Sequence, residues 1–421
     1  MNALPPRPQQ IMSERRVTLI GALLVAVGPI SMALFTPAMP EIAHAFGTSE
    51  AAVKMTLSLY FAGFAFAQLV CGPLSDGLGR KPVTVGFMVI YLAASLLALV
   101  APSIEVLIAA RFLQGVGAAV GVAISRALVR DLFVGEASAR IMNMIGVMLA
   151  VGPAVAPTLG GLTLELAGWH AIFALMLVLG LGVIVAVQFG LKETVSPDIS
   201  RIRPQALFSS YRRLLANTYF LTSSLVIAGS VGALYTLATI LPFVLMDRVG
   251  LEPTEFGMGM LMQSGLFLTG ALAMRQLMQT RSAFRLVPVG LACIGVASIA
   301  LGVGLRIAEP TFLGIMGPVG VYAFGIAFIM PAMTVAAMAP FANIAGAAAS
   351  MLGFMQMGSG LVGGSVAALI GDPVLALATV VPAFGATAIV SWLIWRLLPE
   401  PVSFVPHPAA QDEAQAHGPG A

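Results

Sequence analysis

Gly72-Pro73-Leu74-Ser75-Asp76-Gly77-Leu78-Gly79-Arg80-Lys81-Pro82 is a short, glycine-rich polar interruption between two apolar runs, about 54–75 and 82–101. Each run has roughly the ~20 residues a helix needs to cross ~30 Å of hydrocarbon. The stretch therefore reads as a tight turn between two membrane-spanning helices. Its glycines and prolines permit the turn, and Asp76 beside Arg80 and Lys81 can brace a neighbouring helix end.

The same alternation continues in both directions. Windows of ~20 residues predict twelve spans, near 17–39, 54–75, 82–101, 104–128, 139–164, 169–191, 218–245, 255–278, 284–305, 309–335, 343–370 and 372–398. Composition agrees: 59% of the 421 residues are hydrophobic and only 9% charged, against ~25% charged in soluble domains. A soluble core cannot enclose that much apolar surface, so the chain is expected to be a multi-pass, all-α membrane protein with the lipid bilayer as its partner. With an inward-facing N-terminus, sixteen of the 21 Lys and Arg lie on the cytoplasmic side. Lys54, Arg248 and Arg306 lie on the other, and Arg111 and Arg126 fall within the fourth span. The positive-inside rule then puts both termini in the cytoplasm.

The net charge of +3 is spread over loops and predicts no nucleic-acid binding. Two cysteines, Cys71 and Cys293, and four scattered histidines supply neither a disulfide framework nor metal-ligand spacing, and no cofactor is predicted. The organisation predicted is a tail (1–16), a six-helix half (17–191), a basic cytoplasmic loop (192–217), a second six-helix half (218–398) and a disordered tail (399–421). Gly160-Gly161 in the fifth span and Gly363-Gly364 in the eleventh, 203 residues apart, suggest that the halves are duplicates. Two such halves around a central site suit the alternating exposure of a small-molecule substrate. The sequence offers no zinc-type motif and no catalytic pair within spans, so an enzyme is not expected.

Intramembrane arginine is costly and normally faces a bundle interior or a watery cavity. Arg111 and Arg126 are separated by about 60° of helix rotation, so both are expected on one face of the fourth span. With Gln114, and with Asp131 at the helix end, they form the predicted transport path. In the fifth span, Gly152-Pro153 and Pro157, followed by Gly160-Gly161, read as a pliable face for close helix approach.

On these residues the chain resembles the major facilitator superfamily. Residues 72–82 are similar to its signature loop, with Gly77 where the family usually carries a basic residue. Gly152 to Gly161 resembles its antiporter motif. Arg111 to Phe133, Leu241-Pro242-Phe243-Val244 and Ala345 to Gln356 resemble the bicyclomycin-resistance branch of drug:proton antiporters. That resemblance implies a monomeric exporter in the bacterial cytoplasmic membrane, carrying bicyclomycin-, phenicol- or sulfonamide-like compounds against protons. It also implies a state-stabilising role for Gly72, Asp76, Gly79, Arg80 and Lys81. The branch's first-span aspartate is replaced by Ala33, and no carboxylate lies deep in a predicted span. Without it the cavity is expected to favour neutral or anionic amphiphiles, and export without proton coupling, or exchange of a metabolite or organic anion, stays open as the alternative. Methionines of the eighth, tenth and eleventh spans, and Thr222, Ser223, Ser230, Tyr235, Thr236 and Thr239 of the seventh, are further candidates for its lining.

Overall fold

The computed structural model describes residues 11–133, 135–202 and 204–399. Most of both predicted tails, including the stretch expected to be disordered, lies outside them. Among the described residues every regular element is helical: α1 (Glu14–Phe35), α2 (Met39–Ala45), α3 (Glu50–Leu78), α4 (Arg80–Leu99), α5 (Ile104–Ala118), α6 (Val120–Leu132), α7 (Gly135–Gly190), α8 (Pro204–Leu215), α9 (Thr218–Pro242), α10 (Pro253–Leu277), α11 (Ala283–Ile307), α12 (Phe312–Met338), α13 (Ala345–Ile370) and α14 (Pro373–Leu397). Among the described residues, eleven continuous helical stretches are long and apolar enough to cross a bilayer. The 56 residues of α7 would extend ~84 Å as one rod, far more than a membrane's thickness. They divide at Gly168, whose φ of 73° is open to glycine at no steric cost, into the fifth and sixth crossings. That division accounts for the predicted twelve.

Each half has its own main core, and the two touch where Ala238 and Phe243 of the second half join the first. One joins Val17, Leu57, Leu107 and Phe173; the other joins Phe220, Ile294, Tyr322 and Val381. The halves meet along two seams, α3 against α13 and α7 against α10. The paired glycines reveal the internal symmetry. A Cβ on Gly160 would sit 2.3 Å from the Leu34 carbonyl of α1, and one on Gly161 would sit 2.3 Å from the Pro253 carbonyl of α10. Likewise Gly363 abuts Thr236 of α9 and Gly364 abuts Ser58 of α3. In each pair the first glycine packs on the first spanning helix of its own half, and the second on the second spanning helix of the other.

Two local expectations are revised. The predicted turn over 72–82 shrinks to Gly79 (φ 100°), because α3 continues through Pro73 to Leu78 and α4 starts at Arg80. Part of the basic loop is folded. Helix α8 buries Leu214, and Tyr211 donates its hydroxyl to the Leu69 carbonyl of α3 at 2.6 Å. Burial pushes the Tyr211 phenol above its ordinary range, so it remains a donor.

Candidate functional site

On the cytoplasmic side, the junction of α3 and α4 carries a dense polar cluster. The Arg80 guanidinium is almost wholly buried. It contacts Asp76 at 2.6 Å and Asp131, at the end of α6, at 3.0 Å, and donates to Ser75 Oγ at 2.6 Å. Asp131 also accepts from Thr194 Oγ1 at 3.0 Å. It therefore belongs to this cluster, joining the signature loop to the end of the fourth span. Glu193 Oε1 and Oε2 accept the Arg80 and Lys81 backbone N–H groups at 2.9 and 3.0 Å. A carboxylate from the central segment thus caps α4, meeting both the unpaired N–H groups and the positive end of the helix dipole. Lys81 Nζ donates to the Gln188 carbonyl at 2.8 Å. Gly77 is occupied from outside: Asp198 N–H donates to its carbonyl at 2.8 Å, and a Cβ there would lie 2.3 Å from Ile202. Central-segment packing takes the place of the missing basic arm.

Gly72 faces Ser350 of α13 across the first seam. In the fifth span Gly152 approaches Ile30 of α1, and Pro153 and Pro157 lie inside α7. Together with Gly160 and Gly161, this stretch fits one spanning helix against both α1 and the opposite half.

The fourth span runs through α5 and α6 as one helical course, since Ala119 between them keeps helical dihedrals (φ −62°, ψ −28°) and donates its N–H to the Gly115 carbonyl, yet its two arginines occupy different surroundings. Arg111 is fully buried inside the first half, with its guanidinium 4.4 Å from the ring centroids of both Phe35 and Tyr60. It donates to Gln114 Oε1, and Gln114 Nε2 donates to Ser95 Oγ at 2.7 Å. The two aromatic faces, worth ~2 kcal/mol each when desolvated, stand where a carboxylate would ordinarily offset the charge. Nε and one terminal nitrogen of Arg111 make no hydrogen bond. Arg126, by contrast, is exposed at its side chain yet surrounded by protein, as a residue lining an internal space would be. Gly121 and Ser125 turn towards α1, and Val122 with Arg126 forms the accessible stripe beside them.

Most hydroxyls expected to line the cavity from the seventh span are committed to their own helix. Thr222, Ser223, Ser230, Thr236 and Thr239 each donate to a carbonyl three or four residues back. Tyr235 instead faces Phe61 across the halves, with ring centroids 5.1 Å apart. The methionines disperse: Met333 and Met351 are buried in the second core, whereas Met258 is exposed.

Lys54, read from sequence as an outer-side charge at the start of the second span, is wholly buried where the halves meet at the outer end. Its Nζ contacts Glu50 at 3.1 Å, donates to the Gly371 carbonyl of the other half at 3.3 Å, and lies 4.9 Å from the Phe243 ring centroid. The Glu50–Lys54 spacing at the head of an apolar run was the available signal. On the second seam Thr254 N–H donates to Glu165 at 2.9 Å. Both seams are therefore closed at the outer end by contacts between halves.

The family model of the Major Facilitator Superfamily matches residues 19–368. The chain belongs to this superfamily. It is 30% identical over 366 residues to the uncharacterized MFS-type transporter YdgK of Bacillus subtilis (strain 168), covering 83% of this chain and 87% of that protein. It is 28% identical to multidrug resistance protein D of Escherichia coli (strain K12), covering 88% and 93%. It is 31% identical to a chloramphenicol resistance protein of Pseudomonas aeruginosa, covering 80% of each. The crystal structure of D-xylose-proton symporter superposes with a TM-score of 0.72 at 13% identity, covering 92% of this chain and 99% of that one. At that identity the likeness is one of fold. As a superfamily member, the chain is a multi-pass membrane transporter of small molecules.

Proposed function

We propose that this protein exports small neutral or anionic amphiphiles, phenicol-like compounds foremost, across the bacterial cytoplasmic membrane by alternating access and proton antiport. The observation that carries the reading is the outer closure. Lys54 and Glu165 tie the halves together on the outer side, while Arg126 remains accessible towards the cytoplasmic half of the fourth span. A state shut outside and accessible inside is the loading state of an exporter. Arg126 is the cation that meets cargo, and it disfavours cationic compounds. Arg111 and Gln114 hold helices of the first half together so that it moves as a unit. The Asp76–Arg80–Asp131 cluster, capped by Glu193, stabilises one state of the cycle. The names of the multidrug- and chloramphenicol-resistance relatives support the cargo class, and the resemblance to the bicyclomycin-resistance branch supports antiport.

The test is efflux from a pump-deficient bacterial host expressing the protein, with and without an uncoupler. Chloramphenicol should leave faster than from empty-vector cells, and the uncoupler should abolish the difference. Protein-dependent efflux that ignores the uncoupler would favour transport without proton coupling, and no efflux of any amphiphile would remove the reading.

A further inference from the structure

Arg306 poses a question of charge. Of the three basic residues at the outer end, Lys54 pairs with Glu50 at 3.1 Å and Arg248 with Asp372 at 3.7 Å. Arg306 has no carboxylate partner among the described residues, although Glu309 follows closely in sequence. Its position has a local cause. Pro382 has no N–H to give to the carbonyl four residues earlier. That carbonyl, of Ala378, accepts from Arg306 Nη1 at 2.8 Å, while Nη2 donates to Thr379 Oγ1 at 3.0 Å and Nη1 also reaches the Gly302 carbonyl. The side chain stays exposed.

Below Arg306 runs an apolar groove of about 780 Å³ between α11 and α14. Its floor is low because Gly295, Gly302 and Ala386 carry little side chain, and Ile299, Val303 and Pro382 form its walls. Ser298, near the deep end, lies against Gly385 of α14. From Gly295 to Arg306 the groove spans ~16 Å of helix, close to half of the ~30 Å hydrocarbon thickness. It therefore runs from the outer surface to about the midplane, the depth of one leaflet.

We propose that this groove binds an anionic phospholipid of the outer leaflet, with one acyl chain along the groove and the phosphate on Arg306. The guanidinium supplies the charge-assisted hydrogen bonds that a phosphate takes, and the groove supplies the apolar length that a free anion would not use. The site lies on the lipid-facing side of the second half, away from the seams, and is independent of the cargo reading.

The experiment uses delipidated full-length protein in detergent, titrated with dioleoyl phosphatidylglycerol, dioleoyl phosphatidylcholine or inorganic phosphate. Tm and lipid retained in native mass spectrometry are the readouts. Phosphatidylglycerol should raise Tm and bind about tenfold more tightly than phosphatidylcholine, the step expected of one charge-assisted contact; inorganic phosphate should do neither. Arg306→Gln should erase the preference, and Arg306→Lys should keep most of it. Gly295→Leu, whose Cβ would meet Ile389 at an ordinary 3.5 Å, should fill the deep end and lower retention of both lipids. Equal binding of the two lipids by the unaltered protein, a preference unchanged in Arg306→Gln, retention unchanged in Gly295→Leu, or inorganic phosphate matching the lipid would each overturn the proposal. Should Arg306→Gln fail to fold, the lysine and leucine variants still decide it.

Discussion

Replacing Glu50 by glutamine strands the Lys54 ammonium in the outer-closed state, where Nζ has no access to water. It then keeps the Gly371 carbonyl and the Phe243 face, with the Asp247 carboxylate near enough for a weaker electrostatic interaction. Removing one partner of a fully buried pair costs ~3–5 kcal/mol. Glu50 retains 30% side-chain exposure, so solvent screening reduces the cost to about 1.5 kcal/mol. When the halves part on the outer side, water solvates Lys54 and the penalty vanishes. The substitution should therefore raise the ratio of outer-open to outer-closed protein about tenfold. Ser58 reports the change, because it lies against Gly364 in the closed seam. In a Ser58→Cys variant with Cys71 and Cys293 replaced by alanine, a membrane-impermeant maleimide should label Glu50→Gln about tenfold faster. Adding Lys54→Met removes the stranded charge and should return labelling nearly to the starting rate. Unchanged labelling in Glu50→Gln, or still faster labelling in the double variant, would refute the reasoning.

Asp131→Asn should reduce efflux more than Asp76→Asn at equal expression, since Asp131 is the more buried of the two Arg80 partners, at 14% against 44% side-chain exposure; equal losses would count against the cluster as drawn. Gly161→Val should abolish transport while the protein still reaches the membrane, because its Cβ would lie 2.3 Å from the Pro253 carbonyl and hold the second seam apart; retained transport would show that this crossing does not gate. Arg126→Ala should improve export of ethidium relative to chloramphenicol by about tenfold, a step of roughly 1.4 kcal/mol. An unchanged ratio of the two efflux rates would move the cargo away from Arg126.

Hydropathy made the spans legible because a bilayer imposes one length and one polarity on every crossing, and the structure places helices in each predicted stretch. Gly160-Gly161 and Gly363-Gly364 were readable for a related reason: a carbonyl can come that close only where no Cβ stands. Long-range pairing was less legible. Lys54 read as no more than an outer-side charge at a span's end because its burial depends on Gly371 and Phe243, about 190 to 320 residues away in sequence. Glu193 carried no motif, and its capping of α4 emerges only once the central segment folds back. The shared face expected for Arg111 and Arg126 did not reveal their different depths: Arg111 is fully buried, whereas the Arg126 side chain is exposed. The hydroxyls of α9 show another limit of the sequence: a polar stripe suggests a cavity, and sequence does not tell that a serine or threonine there also donates to its own backbone.

Counterflow in proteoliposomes tests the central claim most directly. Vesicles containing the purified protein are loaded with unlabelled chloramphenicol and diluted into labelled tracer, beside protein-free vesicles and the Gly161→Val variant. The account predicts transient tracer accumulation with the unaltered protein alone, and little or none when ethidium replaces chloramphenicol. No overshoot with chloramphenicol or any other neutral or anionic amphiphile, or an overshoot equal to that of Gly161→Val, would contradict alternating-access export of this cargo class.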